Sequence, residues 1–322
     1  MNKDMYEQNL IKSIIDSITN SEASKYISSI ILTGSLGRKE ATYSNNDGAL
    51  ALKSDIEIAI VLKKINKSKL VLKELVKIKN SFSEDLNLMI FNEKRISKVH
   101  NFNYSFITPK YKTIFTYDLY NGSRTIWGED YIAKGSVNLS QVDKYEAKRL
   151  VANRIAEMTY LTRTSPTNSY LISQWKGKVI LAIVSAWLLC EDKYESSYHK
   201  QYENVVSCKE KINELLGDDF FENYKKVFNF LRKSGSSFEV SDQKLRYYVQ
   251  CIDTYFRKFN ICSPKVNSLS RTLKYFIKYA KTGFGYGLSN FENNILQSII
   301  TDYYKGSSNV YYDSKIWHEV LY

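Results

Sequence analysis

Residues 31–62 of the chain, ILTGSLGRKEATYSNNDGALALKSDIEIAIVL, contain the pattern that decides the fold. The stretch 26–33 is apolar and rich in β-branched residues, and it stops at a glycine, which predicts a buried strand. The stretch 55–62 alternates acidic and apolar side chains at its start and then becomes wholly apolar. This pattern predicts a second strand, with carboxylates at its first end and a core around its second.

The acidic side chains of the second strand are Asp55 and Glu57. Positions two apart in a strand face the same side, so we expect the two carboxylates to project together, about 6.6 Å apart along the strand. Such a pair can hold a hard divalent cation, Mg²⁺ or Mn²⁺, because these ions prefer oxygen ligands and keep water and phosphate oxygens as their other partners. Asp55 and Glu57 are therefore the candidate metal ligands.

The residues that end the first strand can bind phosphate. Gly34 lets the backbone approach a phosphate without a side chain in the way, and Ser35 adds a hydroxyl and an N–H at the same turn. Arg38 and Lys39 follow at a predicted helix start or loop, where cations can neutralise leaving phosphates. We take these four residues as candidate nucleotide-binding residues.

The Gly-Ser turn, the spacer and the Asp-x-Glu strand together resemble the nucleotidyltransferase fold of the polymerase-β-like superfamily. The segments GSLGRKE and SDIEIAIV look like its minimal and antibiotic-modifying branches, which include the aminoglycoside nucleotidyltransferases. The later segment YDLYNGSRTIWGED extends the likeness over roughly residues 1–130. The resemblance implies an enzyme that transfers a nucleoside monophosphate, with ATP as the expected donor, to a hydroxyl and releases pyrophosphate.

Two features depart from the family pattern. The spacer between Ser35 and Asp55 has 19 residues (36–54), longer than usual, so we interpret TYSNNDGALALK as an insertion beside the site. The family also places a third carboxylate on the next core strand, where the matching residue is Asn87. An amide is a poorer metal ligand and no base. By its position Asn87 still belongs to the candidate catalytic set with Asp55 and Glu57. If the site needs a third carboxylate, Asp85 or Asp118 is the alternative source.

The remaining pattern predicts an α+β protein with two domains. Asn121-Gly122 lies between two strand-like stretches, 113–120 and 124–127, which predicts a hairpin or, alternatively, the end of a helix. We predict a nucleotidyltransferase domain over residues 1–138, with a mixed β-sheet and flanking helices. An α-helical domain for the substrate or partner follows over residues 139–322. The predicted helices are 6–20, 67–79, 142–163, 170–191, 209–233, 242–260, 272–279 and 291–304, and the third core strand is 86–91.

Two motifs in the second half bear on function. Trp175-Lys176-Gly177-Lys178 precedes an apolar run, and the resemblance implies that Lys178, at the start of such a helix, reaches the triphosphate. A solvated lysine that caps a core helix is the alternative. The glycine-rich segment GFGYG, residues 283–287, lacks the preceding strand of a dinucleotide-binding fingerprint and so predicts an ordinary loop.

Composition limits the class of protein and its partners. Of 322 residues, 43% are hydrophobic and only 3 are proline, which excludes a disordered chain. The net charge of +12 raises the local concentration of polyanions, although surface lysine without function is the alternative explanation. The predicted partners are a nucleoside triphosphate and an acceptor, either a small hydroxylated molecule or RNA.

The sequence also predicts a cytoplasmic protein without a membrane segment. Its longest apolar run, residues 179–190, has 12 residues, whereas a membrane-spanning helix needs about 20. The polar start MNKDMYEQNL lacks the order of a secretory signal. The four cysteines form no Cys-x-x-Cys pair, which argues against a zinc site and for a reducing compartment.

Two other functional classes remain open. Because Asn87 replaces a carboxylate, a catalytically degenerate nucleotide-binding or interaction protein with the same fold is the main alternative. A structural or nucleic-acid-binding helical protein is the third. It would require the Gly-Ser turn and the Asp-x-Glu strand to be coincidental.

Overall fold

The computed structural model of the chain describes residues 2–46, 49–63, 68–92, 113–232, 238–261 and 291–306. Over these residues the fold is mixed α+β, as predicted. The predicted helix 272–279 and the glycine-rich segment 283–287 lie outside the described residues.

The strands of the described chain form one sheet and one separate hairpin. They are β1 (Ile27–Thr33), β2 (Tyr43–Asn46), β3 (Ala49–Leu52), β4 (Ile56–Leu62), β5 (Leu86–Asn92) and β6 (Arg124–Gly128). The sheet has the order β5-β4-β1-β6 and is mixed, because β1 is antiparallel to β4 and β6 while β4 is parallel to β5. The long spacer before Asp55 folds as the β2–β3 hairpin, apart from this sheet.

Helices surround the sheet. They are α1 (Lys3–Thr19), α2 (Gly34–Gly37), α3 (Ser68–Ser81), α4 (Ile114–Asn121), α5 (Tyr145–Thr164), α6 (Ser169–Cys190), α7 (Tyr198–Val206), α8 (Lys209–Leu216), α9 (Phe220–Arg232), α10 (Asp242–Lys258) and α11 (Phe291–Lys305). The single helix predicted over 209–233 is in fact two, α8 and α9. Gly217 ends the first with a φ of +105°, a conformation that glycine adopts readily.

The Asn121-Gly122 pair ends a helix and does not turn a hairpin. A capping box between Thr113 and Thr116 starts α4, and the Gly122 N–H donates to the Asp118 carbonyl at 2.7 Å to close it. The following strand, β6, pairs with β1. The hairpin prediction is therefore wrong, and its helix-end alternative is correct. An Asn-Gly pair suits a hairpin turn and a helix C-terminus equally well. Here the burial of the apolar side chains of α4 favours the helix.

Each face of the sheet packs against its own set of helices. Alternate residues of β1 point to opposite sides, so Ile30 and Leu32 pack with α1 and α3 while Ile31 packs with the helices that follow residue 113. Ala59 and Val61 of β4 lie in that second core with Trp187 of α6. The helices of the second half therefore share a continuous core with the sheet.

Helix α6 is the one described helix whose length and composition would allow it to cross a membrane. More than half of its apolar window, 56%, is buried inside the protein. Trp187 and Leu188 are almost completely enclosed. This burial is typical of a core helix, which the run 179–190 predicts.

Candidate functional site

The candidate site lies at the edge of the sheet where β1 ends and β4 and β5 begin. Antiparallel pairing sets Thr33, the last residue of β1, opposite Glu57. Parallel pairing sets Glu57 beside Asn87. Sheet register therefore brings the turn after β1, the acidic strand and Asn87 to one place.

The Glu57 carboxylate packs directly against Gly34. Gly34 has a φ of +63°, and a β-carbon built on it would lie 2.8 Å from both Cδ and Oε2 of Glu57. The Thr33 hydroxyl donates to the same Oε2 at 3.2 Å. Position 34 thus requires glycine twice, once for the backbone conformation and once for the space that the carboxylate fills.

Asp55 and Asn87 complete the acidic edge. Asp55 is exposed just before β4, and its Oδ2 accepts a hydrogen bond of 3.3 Å from the Asn87 side-chain amide. Burial and then the negative charge of Asp55 raise the pKa of Glu57, against the hydrogen bond from Thr33. The two carboxylates are thus close enough to repel each other when both are ionised.

The residues at this edge fit a hard divalent cation. Asp55 and Glu57 offer carboxylate oxygens, and a cation would relieve the repulsion between them. No group of three or more His, Cys, Asp or Glu residues suited to a metal occurs in the part of the chain that the structure describes. Mg²⁺ is commonly held by one or two protein carboxylates with water or phosphate oxygens as its other ligands, and this edge has two carboxylates.

Ser35 has a buried hydroxyl that finds no partner in the part of the chain that the structure describes. Its Oγ is enclosed and makes no hydrogen bond within the described residues. An unsatisfied buried hydroxyl costs free energy, and such groups at a site are commonly satisfied by a ligand or water. The hydroxyl lies at the start of α2, beside the Gly34 backbone that Glu57 contacts.

Lys178 faces the acidic edge from α6. It is half-buried, with Nζ 4.1 Å from the ring centroid of Trp175. Burial lowers its pKa, and so does the charge of Arg154, while Asp55 and Glu57 act in the opposite direction. The ammonium group therefore lies within electrostatic reach of both carboxylates.

Arg154 is a second cation at this place, and sequence reasoning missed it. It belongs to α5, forms an ion pair with Glu157, and opposes the burial-driven rise in the pKa of Glu57. No local motif marks Arg154, because it is one of several charged residues along an amphipathic helix. Only the packing of α5 beside α6 and the sheet reveals it.

Arg38 and Lys39 differ in environment. Arg38 is largely enclosed and its Nε donates to Glu40 Oε2 at 3.1 Å, so its guanidinium already has an anionic partner. Lys39 is exposed, with a left-handed φ of +61° that is unusual for a residue with a side chain. The nucleotide-binding roles expected for both residues stay predictions.

The two alternative third carboxylates lie in contrasting surroundings. Asp85 is exposed, and its Oδ1 is 3.8 Å from the Lys79 ammonium. Both carboxylate oxygens of Asp118 lie 3.0 Å from the Tyr194 hydroxyl, which donates to them. Burial raises the pKa of Asp118 to about 7, opposed by Arg38 and by that hydrogen bond and assisted by Glu57. The charge of Glu57 therefore acts on Asp118.

Comparisons of the chain with protein-family models, with curated proteins and with solved structures found no match. The chemistry of the site therefore has to follow from its own residues. Those residues are two close carboxylates, a glycine turn with an unsatisfied hydroxyl, and two cations on neighbouring helices.

Proposed function

We propose that the chain is a metal-dependent nucleotidyltransferase. It transfers a nucleoside monophosphate, AMP from ATP, to the hydroxyl of an acceptor and releases pyrophosphate. The observation that carries this proposal is the packing of the Glu57 carboxylate against Gly34, with Asp55 close beside it. That arrangement supports the proposal because it sets two carboxylates, the proposed cation ligands, against the glycine turn proposed to bind phosphate.

The residues of the site have distinct roles in this reaction. Asp55 and Glu57 would hold Mg²⁺ or Mn²⁺, which when bound supplies Lewis-acid stabilisation to phosphate oxygens. The Gly34 backbone and the Ser35 hydroxyl bind the triphosphate, and Lys178 and Arg154 offset the charge of the departing pyrophosphate. Positioning and electrostatics supply most of the rate enhancement.

Asp118 is the better candidate for the third carboxylate. Asn87 cannot accept a proton, and its amide donates to Asp55. Asp85 points its carboxylate toward Lys79. A carboxylate with a pKa near 7, such as Asp118, is suited to accept a proton from an attacking hydroxyl at neutral pH.

The division of labour follows the two predicted domains. Residues 1–138 would carry the metal and the triphosphate, and residues 139–322 would bind the acceptor and contribute Lys178. The acceptor is a small hydroxylated molecule or RNA. Pyrophosphate release measured with aminosugars and with RNA separates the two acceptor classes.

The alternative function is a nucleotide-binding or interaction protein without turnover. The hydrogen bond from Asn87 to Asp55 favours it, since an amide stands where a third carboxylate would complete the metal shell. Titration with ATP and Mg²⁺ that shows binding, without pyrophosphate release on any acceptor, would support this alternative.

The deciding variant is Asp55→Ala. We expect it to abolish pyrophosphate release and leave the fold intact, because Asp55 is exposed and repels Glu57 when no cation is present. The matched control is Asp85→Ala, an equally exposed aspartate just before the neighbouring strand, which should retain activity. Full turnover by the Asp55 variant would refute the proposed function.

A further inference from the structure

Glu40 collects an unusual number of donors for a single carboxylate. Its side chain is buried, with the residue 8% exposed, and it lies five positions after Ser35 in the sequence. Its oxygens accept hydrogen bonds from the Arg38 side chain at 3.1 Å and the Ser197 hydroxyl at 2.7 Å. The backbone N–H groups of Tyr198 and His199 donate to it at 3.2 and 3.1 Å.

A second guanidinium reaches Glu40 from the end of α9. Arg232, the last residue of α9, approaches Oε2 at 3.4 Å. The Tyr198 ring lies beside both guanidinium groups, 5.1 Å from Arg38 and 5.3 Å from Arg232. Glu40 therefore joins three elements that are far apart in sequence: the segment after α2, the start of α7 and the end of α9.

The same residue is tied to the candidate site through its backbone. The Glu40 N–H donates to the Ser35 carbonyl at 2.7 Å, and the Arg38 N–H donates to the Gly34 carbonyl at 3.1 Å. The stem of Arg38 also packs against Gly122, where a β-carbon would lie 3.1 Å from Arg38 Cγ. A single backbone hydrogen bond thus links Glu40 directly to the turn that contains Gly34 and Ser35.

A simpler role is that Glu40 only stabilises the first turn of α7. A carboxylate at a helix N-terminus is favourable, and Ser197 already caps this helix by accepting from the Lys200 N–H at 3.2 Å. A cap does not need two arginines from distant elements. Burial acts to raise the pKa of Glu40, but the hydrogen bonds from Ser197 and His199 and the charge of Arg232 outweigh it. The buried group is thus held as an anion.

We propose that Glu40 is a positioning residue, which fixes the Gly34–Ser35 turn relative to α7 and α9 so that the turn is preorganised for a triphosphate. The effect on the triphosphate rests on the proposed function. The link through Glu40 between the turn and the two helices does not depend on the proposed function. Glu40 acts through Arg38 and through the backbone of the turn, and it does not touch the substrate.

The test compares Glu40→Gln, which keeps the shape and loses the charge, with Ser197→Ala, which removes the cap of α7 and one of the donors to Glu40. We measure hydrogen exchange of the amides of residues 38–40 and the KM and kcat for ATP. In Glu40→Gln these amides should exchange about tenfold faster, and KM should rise about tenfold with little change in kcat. Ser197→Ala keeps the Glu40 carboxylate and both arginines, so it should speed exchange at 38–40 by less than Glu40→Gln does. Arg232→Met, a change distant from the turn, should also make the amides of residues 38–40 exchange faster, as in Glu40→Gln.

Each outcome has a separate meaning. Unchanged exchange at 38–40 in both Glu40→Gln and Arg232→Met overturns the positioning role, because neither the charge of Glu40 nor its contact with Arg232 would then hold the turn. If Glu40→Gln does not fold, Arg232→Met decides alone, because it leaves Arg38 and the α7 cap in place. A wild-type protein that neither binds nor uses a triphosphate refutes the proposed function, while the exchange data still decide the link.

Discussion

The Glu57 carboxylate occupies the space that a β-carbon on Gly34 would need, at a separation of 2.8 Å. One backbone position and one acidic side chain are therefore coupled. The turn cannot accept another residue unless the carboxylate moves, and the carboxylate cannot sit at this edge of the sheet unless the turn is glycine.

Gly34→Ala should therefore lose both stability and ligand binding. The left-handed backbone costs an alanine about 1–2 kcal/mol, and the clash displaces Glu57. We expect the free energy of unfolding in urea to fall by at least about 1 kcal/mol and ATP affinity to fall more than tenfold. Gly177→Ala in α6 is the control, since its β-carbon would meet side chains at or near ordinary contact distance, Val227 Cγ1 at 3.3 Å and Leu231 Cδ1 at 3.5 Å, and its backbone is helical. Equal losses in the two variants would contradict this coupling.

Asn87→Asp should make stability depend on the metal. The change removes the donor to Asp55 and adds a third negative charge beside Asp55 and Glu57. In EDTA we expect a loss of about 1 kcal/mol in the free energy of unfolding, and Mg²⁺ should restore it by binding the folded state. Asn87→Ala separates the lost hydrogen bond from the added charge. A variant that gains no more from Mg²⁺ than wild type would argue against a cation at this edge.

Asp118→Asn should change how stability depends on pH. Burial raises the pKa of Asp118 from its ordinary 3.8 to about 7, so the folded protein holds this proton more tightly than the unfolded chain. Relative to Asp118→Asn, wild-type stability should then fall as pH rises from about 4 to about 7, by a few kcal/mol at about 1.4 kcal/mol per pKa unit, and the difference should stay level above. Asparagine does not titrate, and its carbonyl can still accept from Tyr194. Urea unfolding at several pH values tests this, and parallel profiles for the two proteins would refute it.

Lys39→Gly should raise stability while it weakens binding. Glycine relieves the left-handed backbone at this position, which is worth about 1 kcal/mol. Loss of the ammonium should weaken ATP binding several-fold if Lys39 meets the phosphates, as an exposed charge contact contributes up to about 1 kcal/mol. Lys39→Ala keeps the strained backbone and should weaken binding without the gain in stability. Unchanged affinity in both variants would remove Lys39 from the site.

Lys178 and Lys176 form a matched pair for separating binding from stability. Burial lowers the pKa of Lys178, so Lys178→Met should cost little stability and reduce ATP affinity about tenfold. Lys176 donates to the Val240 carbonyl at 3.1 Å and pairs with Asp242 at 2.6 Å. Lys176→Met should therefore lose about 1 kcal/mol of stability and keep its affinity. Calorimetric titration with ATP and urea unfolding of both variants measure these effects, and the reverse pattern would exclude Lys178.

Much of the sheet and half of the site could be predicted from local pattern. The β-branched run before Gly34 and the period of two at Asp55 and Glu57 predict strands, and the structure has β1 and β4 at those places. Local pattern failed at Asn121-Gly122, because the same dipeptide turns a hairpin or ends a helix. Only the burial of α4 against its neighbours selects the helix.

The sequence alone determined which side chains lie on one face of a strand and where a glycine turn follows, because backbone periodicity and φ preference act over a few residues. It could not determine that Arg154, from a second helix, joins Lys178 near the Glu57 carboxylate. Nor could it show that Glu40 meets Arg232, 192 positions away. Those tertiary contacts depend on which apolar faces of the helices and strands pack together. Many arrangements of the same amphipathic elements would satisfy the sequence pattern equally well. The tertiary structure decided them.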